Sequence, residues 1–340
     1  MPCHRICLIL LVLGTLVPTT LSRAQEPAQN EARGDLPTYR ANVNVVNLFF
    51  NVKDRHGALI PDLKKEDFTI LEDGNAQTIK YFAAEANQPL TLGILIDTSP
   101  SQTRVLPLEQ EAGSYFLRDV LQSRDLAFVI SFDLNVDLLH DFTNSPAELK
   151  SALYKAKIND GGHVGIMPGM GGGPFPTAQR ACCTYLYDAV YLAGHEMLAK
   201  EVGRKAMVIL TDGEDEGSRL KITDAIEAAQ KADAIVYVIL IADRGFYSSQ
   251  GAGYSGDRVM RKLAEETGGR VIDVGNKEDK LKAAFAQISK ELRSQYNIGY
   301  TPTNSKLDGS FRKVQVHPAN ADYKVQTRMG YYAIKSQTGD

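Results

Sequence analysis

The residues best placed to do chemistry lie in one stretch, 92–101, LGILIDTSPS. Asp97, Ser99 and Ser101 stand as Asp-x-Ser-x-Ser, one anionic and two neutral oxygens within a tight loop. Hard oxygens of this kind suit Mg²⁺ or Ca²⁺ far better than Zn²⁺. Four of the five residues before the aspartate are apolar, the texture of a strand buried on both faces. A helical pattern follows almost at once. A buried strand that delivers a carboxylate and two hydroxyls to its carboxyl end reads as a ligand site, because open α/β sheets bind ligands there. The plainer alternative is a capped turn opening the next helix, where Asp and Ser are also favoured.

A second strand end, MVILTD at 207–212, brings Asp212 and is followed by Gly213. In the usual doubly wound order its strand neighbours the first across the switch point, so Asp97 and Asp212 should face one another. Thr184, in CCTYLYDAV ahead of the next helix, is the third contribution; it is also a natural helix N-cap. Together these supply two carboxylates and three hydroxyls, with water or a ligand completing six-coordination. The acidic run Glu214-Asp215-Glu216 reads as a solvated rim. It is not an EF-hand, because the twelfth position from Asp212 is Thr223 rather than Glu. His195-Glu196 lacks the second histidine of a zinc-protease helix.

Enzyme readings fare worse. A dinucleotide dehydrogenase needs Gly-x-Gly-x-x-Gly after the first strand, where this chain has Asp-Thr-Ser-Pro-Ser. A Mg²⁺-dependent hydrolase using Asp97 as nucleophile would want a second carboxylate at position 99, which is serine. No Gly-x-Ser-x-Gly elbow is present. A binding module without catalysis is the expectation.

These residues need a scaffold, and the chain alternates as one should. Strands are predicted at 90–96, 127–132, 136–141, 205–210, 234–241 and 270–274, the second and third forming an antiparallel pair. Helices are predicted at 106–121, 146–157 with Ser145 as cap, 186–200, 221–231, 257–266 and 280–294. This pattern predicts an α/β fold with a doubly wound, mainly parallel sheet. Both flanks read as β. Strands are predicted at 43–52 (irregular near Val46-Asn47) and 68–71, with a turn at 72–75 and a return strand at 78–83. The tail adds 296–300, 311–317 and 323–331. About three strands per flank are marginal for an independent sheet. The flanks are therefore predicted to pair into one discontinuous β-sandwich, joined to the central domain at Gln88-Pro89 and Ser294-Gln295; two separate modules are the alternative. Residues 158–181, rich in Gly and Pro, read as a surface loop.

The 340 residues are 44% hydrophobic and 23% charged, room for two domains. Residues 1–24 read as a secretory signal: Arg5, an apolar run at 6–17 and a small-x-small site at Ser22-Arg23-Ala24. The run is too short to span a membrane. Residues 25–38 read as a flexible leader. Removing 1–24 takes two positive charges, Arg5 and Arg23, and moves the net charge from −3 to −5, which argues against nucleic acid as a partner. Cys182-Cys183 are then the cysteines left, and an adjacent pair builds no long-loop disulfide framework. Buried thiols are the first expectation; a vicinal disulfide or an intermolecular bridge stays open.

Asp97-x-Ser99-x-Ser101, a threonine ahead of Leu-Tyr-Asp-Ala and a later Thr-Asp-Gly resemble the metal-ion-dependent adhesion site of von Willebrand factor type A domains. The resemblance spans 89–295. The flanks, 39–88 and 296–335, with LKKEDFTILEDG and QYNIGYTP, are similar to a bacterial group of exported von Willebrand factor A-related proteins. The resemblance implies that Ser99 and Ser101 bind the metal directly, Asp97 and Asp212 directly or through water, and that Thr184 completes the set when a ligand is bound. It implies Mg²⁺ first, with Mn²⁺ or Ca²⁺ as alternatives, and a partner protein whose acidic side chain fills the open position. One departure is Cys182-Cys183, where the family often has a glycine before the threonine. The competing expectation is a metal-independent scaffold that binds through its β flanks.

Overall fold

The computed structural model describes residues 45–84, 88–159, 184–242 and 256–334. The predicted signal and leader (1–38), the Cys182-Cys183 pair and nearly all of the Gly/Pro-rich loop lie outside the described residues.

The strands that carry the predicted site are the most apolar in the chain, and they lie at the centre of a six-stranded sheet. Leu90–Asp97 (β5) is buried at every position. Leu126–Phe132 (β6), Arg204–Thr211 (β8) and Ala234–Leu240 (β9) are nearly so. With Val136–Thr143 (β7) and Arg270–Asp273 (β10) the order is β10-β9-β8-β5-β6-β7. All pairs are parallel except β6 with β7. Strand order therefore reverses between β5 and β8, the crevice where such sheets bind ligands.

Alternation along β5 divides the core. Leu92, Ile94 and Ile96 pack under Leu106–Val120 (α1), Pro146–Leu153 (α2) and Glu278–Arg293 (α6). Leu95 packs on the other face beneath Leu186–Leu192 (α3), Ile222–Lys231 (α4) and Gly256–Glu266 (α5). The predicted helix 186–200 is α-helical only to Leu192; a π segment, Ala193–Met197, and a 3₁₀ turn, Leu198–Lys200, complete it. The helix predicted at 146–157 ends at Leu153, with Ser145 accepting from the Glu148 amide as its cap.

The flanks form one sandwich of two antiparallel four-stranded sheets. Val46–Lys53 (β1), Phe68–Glu72 (β2), Asn75–Gln77 (β3) and Ile79–Ala84 (β4) come from the first flank. Tyr296–Tyr300 (β11), Phe311–Pro318 (β12), Lys324–Thr327 (β13) and Gly330–Tyr332 (β14) come from the second. Each sheet, β13-β1-β11-β4 and β14-β12-β2-β3, mixes both flanks. The core between them stacks Phe50 on Tyr296 at 5.5 Å, with Phe68 edge-on to Phe50 at 5.1 Å.

Three details differ from expectation. The return strand after the turn at 72–75 stops at Gln77; beyond Thr78 the chain crosses into the other sheet as β4. The stretch 323–331 likewise splits into β13 and β14 of different sheets. The irregularity expected near Val46-Asn47 falls instead in the β11–β4 pairing at Gly299/Tyr300, while β1 pairs with β11 in continuous register. One residue ties the first connection to the last turn of α6. Arg204, 1% exposed, donates to the carbonyls of Gln88 (2.7 Å) and Leu292.

Candidate metal centre

The β5 backbone ends with Thr98 N–H donating to the Phe132 carbonyl, which brings Asp97 to the carboxyl edge of the sheet, fully buried. Asp97 Oδ1 accepts from the Ser99 amide at 2.9 Å, closing a tight turn, and Pro100 then opens a short 3₁₀ segment. If the serines merely capped that segment, their hydroxyls would turn to its backbone amides. Ser99, at the cap position, makes no such bond. Its Oγ lies 3.0 Å from Ser101 Oγ, and Ser101 Oγ donates to Asp212 Oδ2 at 2.5 Å. The hydroxyls point across the crevice to the next strand's carboxylate.

The β8 side is built to match. Thr211 Oγ1 donates to Asp97 Oδ2 at 2.6 Å and accepts from the Gly213 amide at 3.0 Å. The turn needs Gly213, whose φ is +85°, and Asp212 Oδ1 then accepts from the Glu214 amide. Asp97, Ser99, Ser101 and Asp212 are thus brought together at the two strand ends.

Electrostatically the site crowds buried carboxylates together. Burial, and then the Asp212 charge, push the Asp97 carboxyl up to about 8. Glu109, fully buried on α1, is pushed well above the carboxylate range by burial, then by Asp97 and Asp212. Among the described residues no three His, Cys, Asp or Glu side chains converge as a metal-ligand group. The donors that do converge are two carboxylates with hydroxyls, a hard-oxygen set that fits a small divalent cation and would be neutralised by it.

No family model matches the chain, and no curated protein matches it. Solved structures do. BatB from Bacteroides thetaiotaomicron is 19% identical over 60% of this chain and 100% of its own, with a TM-score of 0.43. A von Willebrand factor type A structure from Catenulispora acidiphila is 13% identical over 88% and 76%, with a TM-score of 0.47. Proximal thread matrix protein 1 from the mussel byssus, with a zinc-occupied MIDAS motif, is 14% identical over 70% and 50%, with a TM-score of 0.46. The chain thus spans half the length of the mussel protein.

Thr184 reaches the same rim by its backbone. Its N–H and C=O exchange hydrogen bonds with Glu216, both at 3.1 Å, which seats it beside the loop that follows Asp212. Tyr185 N–H donates to the Asp133 carbonyl. Of the acidic run read as a solvated rim, Glu216 is exposed, but Glu214 and Asp215 are half-buried and engaged. Asp215 accepts from the Tyr187 amide and from Ser218 Oγ, and burial raises its carboxyl. Glu214 Oε1 accepts from the Gly256 amide at 2.8 Å, at the start of α5. These carboxylates hold the loops around the site.

Sequence reasoning missed four residues. Thr211 is the hydroxyl that fixes Asp97. Asp133 accepts from Thr98 Oγ1, the Asn135 amide and Asn159 Nδ2, joining three loops behind the site. Gln102 and Glu109 lie on the buried side of the helical segment after Ser101. Their signal was readable: Glu109 stands three residues after Leu106, on an otherwise apolar stripe.

Gly256 offers a direct test of how tightly the Asp212 turn is held. A Cβ there would lie 2.6 Å from the Asp212 carbonyl oxygen and 2.7 Å from the Gly213 carbonyl carbon, both backbone atoms. Gly256→Ala is expected to lower stability by about 1–3 kcal/mol in urea titration. It should also weaken divalent-cation binding, because the shift falls on a predicted ligand. Unchanged cation affinity would show that the turn yields without moving the Asp212 side chain.

Proposed function

We propose that this protein is an exported binding module in which a divalent cation, held between the β5 and β8 strand ends, accepts an acidic group of a partner protein. The observation that carries the reading is the convergence of Ser99, Ser101 and Asp212 oxygens within 2.5–3.0 Å contacts beside buried Asp97. With both carboxylates ionised, a divalent ion leaves the site formally neutral, so one more anionic ligand meets no net repulsion. Mg²⁺ suits this oxygen set best, with Mn²⁺ or Ca²⁺ as alternatives. Thr184 would enter the shell as the ligand binds.

Binding rather than turnover is favoured by the state of Asp97. Both of its oxygens accept from groups inside the protein, Ser99 N–H and Thr211 Oγ1, which leaves it poorly presented as a nucleophile. Export is inferred from residues 1–24. No helix among the described residues is long and apolar enough to cross a membrane.

The test is thermal unfolding after chelation and then with added Mg²⁺, Mn²⁺ or Ca²⁺. An ion at a hundred times its dissociation constant should add about 2.7 kcal/mol, a rise of several degrees. Water-proton relaxation with Mn²⁺ should then report an exchangeable water that a carboxylate-bearing peptide displaces. No shift with any of the three ions would overturn the proposal. A bound ion with no exchangeable water would remove its bridging role.

A further inference from the structure

We infer that Glu109 and Gln102 form the inner wall of the cation site and hold an ordered water against the ion, making Glu109 a water-mediated partner of the ion. This rests on the metal-binding reading above. Both residues are 0% exposed. They lie seven residues apart on a continuous ladder, in which Val105 N–H donates to Gln102 O and Glu109 N–H to Val105 O. Two helical turns place them on one side of the segment that leaves the site.

Gln102 is aimed at the site: its Nε2 donates to Ser101 Oγ at 3.4 Å. Its Oε1 and both carboxylate oxygens of Glu109 are buried with no hydrogen-bond partner among the described residues. Three buried acceptor oxygens are costly unless something donates to them. The charges acting on Glu109 are those of Asp97 and Asp212, so it lies within electrostatic reach of the two proposed ligands. It does not join them as a third direct ligand, since no three acidic side chains converge at ligand spacing among the described residues. A water that donates to one Glu109 oxygen and to Gln102 Oε1 and turns its lone pair to the ion gives a donor to two of the three oxygens, and outer partners of this kind tune metal affinity.

The test compares wild type, Glu109→Gln, Gln102→Met and Asp97→Asn by calorimetric titration with Mg²⁺ and Mn²⁺, alongside melting in chelator. Glu109→Gln keeps the shape and removes the carboxylate. It should bind either ion about tenfold or more weakly, the usual loss for an outer-shell partner. Its chelated form should melt no lower than wild type. Gln102→Met should weaken binding in the same direction. Unchanged affinity in Glu109→Gln overturns the inference, and a lower chelated melting point with unchanged affinity assigns Glu109 a structural role instead. Loss of binding in Asp97→Asn with full binding in Glu109→Gln sinks this inference alone. Absence of binding in wild type sinks it together with the metal site.

Discussion

Asp97→Asn is expected to make the chelated protein more stable at neutral pH while abolishing its response to divalent cations. The reason is the position of Asp97 at a buried strand end, beside a second carboxylate. Burial and the Asp212 charge raise its folded-state pKa from 3.8 to about 8. Between those values the folded chain keeps the proton and the unfolded chain releases it, so the unfolded state binds fewer protons and stability falls as pH rises. The contribution is fully present below about pH 4. It declines by about 1.4 kcal/mol per pH unit and levels off above pH 8. Asparagine mimics the protonated carboxyl without titrating, keeping an oxygen for the Ser99 amide while Thr211 Oγ1 can turn to accept.

At pH 7 the variant should gain on the order of 4 kcal/mol at most. Its melting temperature in chelator should slope down less steeply from pH 4 to 8 than that of the wild type, since the raised Glu109 and Asp215 carboxyls titrate in both. With an ion present the dependence reverses. The ion requires the ionised carboxylate, so wild-type affinity should rise with pH up to about 8, roughly tenfold per unit for one released proton. Parallel melting profiles for the two proteins in chelator would contradict the account, since they would mean that Asp97 is not the group that titrates.

What could be read in the chain beforehand, and what could not, follows from the physics of each signal. The apolar runs of β5 and β8 mark buried parallel strands, and polar residues at their ends mark the crevice; Asp97 and Asp212 were legible for that reason. The antiparallel edge at β6–β7 was legible from its short turn. Period-two alternation does not say which sheet a strand joins. The stretch 78–83 therefore looked like the return strand of the hairpin and 323–331 like one strand, although the chain changes sheets at Thr78 and again within 323–331. Charge likewise gives no sign of a hydrogen-bond partner brought from far along the chain. Asp215 looked solvated but caps a turn of chain about thirty residues upstream, at Tyr187. Glu109 carried its signal in the wrong company, a carboxylate on an apolar helical stripe.

Removing the Glu291 side chain should cost the fold more than any other single change considered. Glu291 lies on α6 with its side chain 0% exposed, where the sandwich meets the parallel sheet. Lys53 of β1 donates to its Oε1 at 2.9 Å, and Arg270 Nε of β10 donates to it at 3.0 Å. Gln326 of β13 accepts from Lys53 at 2.8 Å and donates to the Gly268 carbonyl. Asn51 Nδ2 reaches the backbone carbonyls of Glu291 and Ser294, so both layers converge on one helical turn. Burial already lowers the Lys53 ammonium from its usual range, and Glu291 opposes that.

Glu291→Ala would leave two cations partly buried with no compensating charge, a loss of about 3–5 kcal/mol. The desolvation cost of the cluster is paid whether or not its parts are matched, so replacing all three charges should recover much of that loss. Lys53→Met with Arg270→Leu and Glu291→Leu is the comparison. If Glu291→Ala costs under about 1 kcal/mol in urea titration, the cluster is not what joins the layers. If it costs the full amount and the near-ultraviolet and far-ultraviolet transitions then separate, this carboxylate is what makes the sandwich and the metal-bearing sheet unfold as one body.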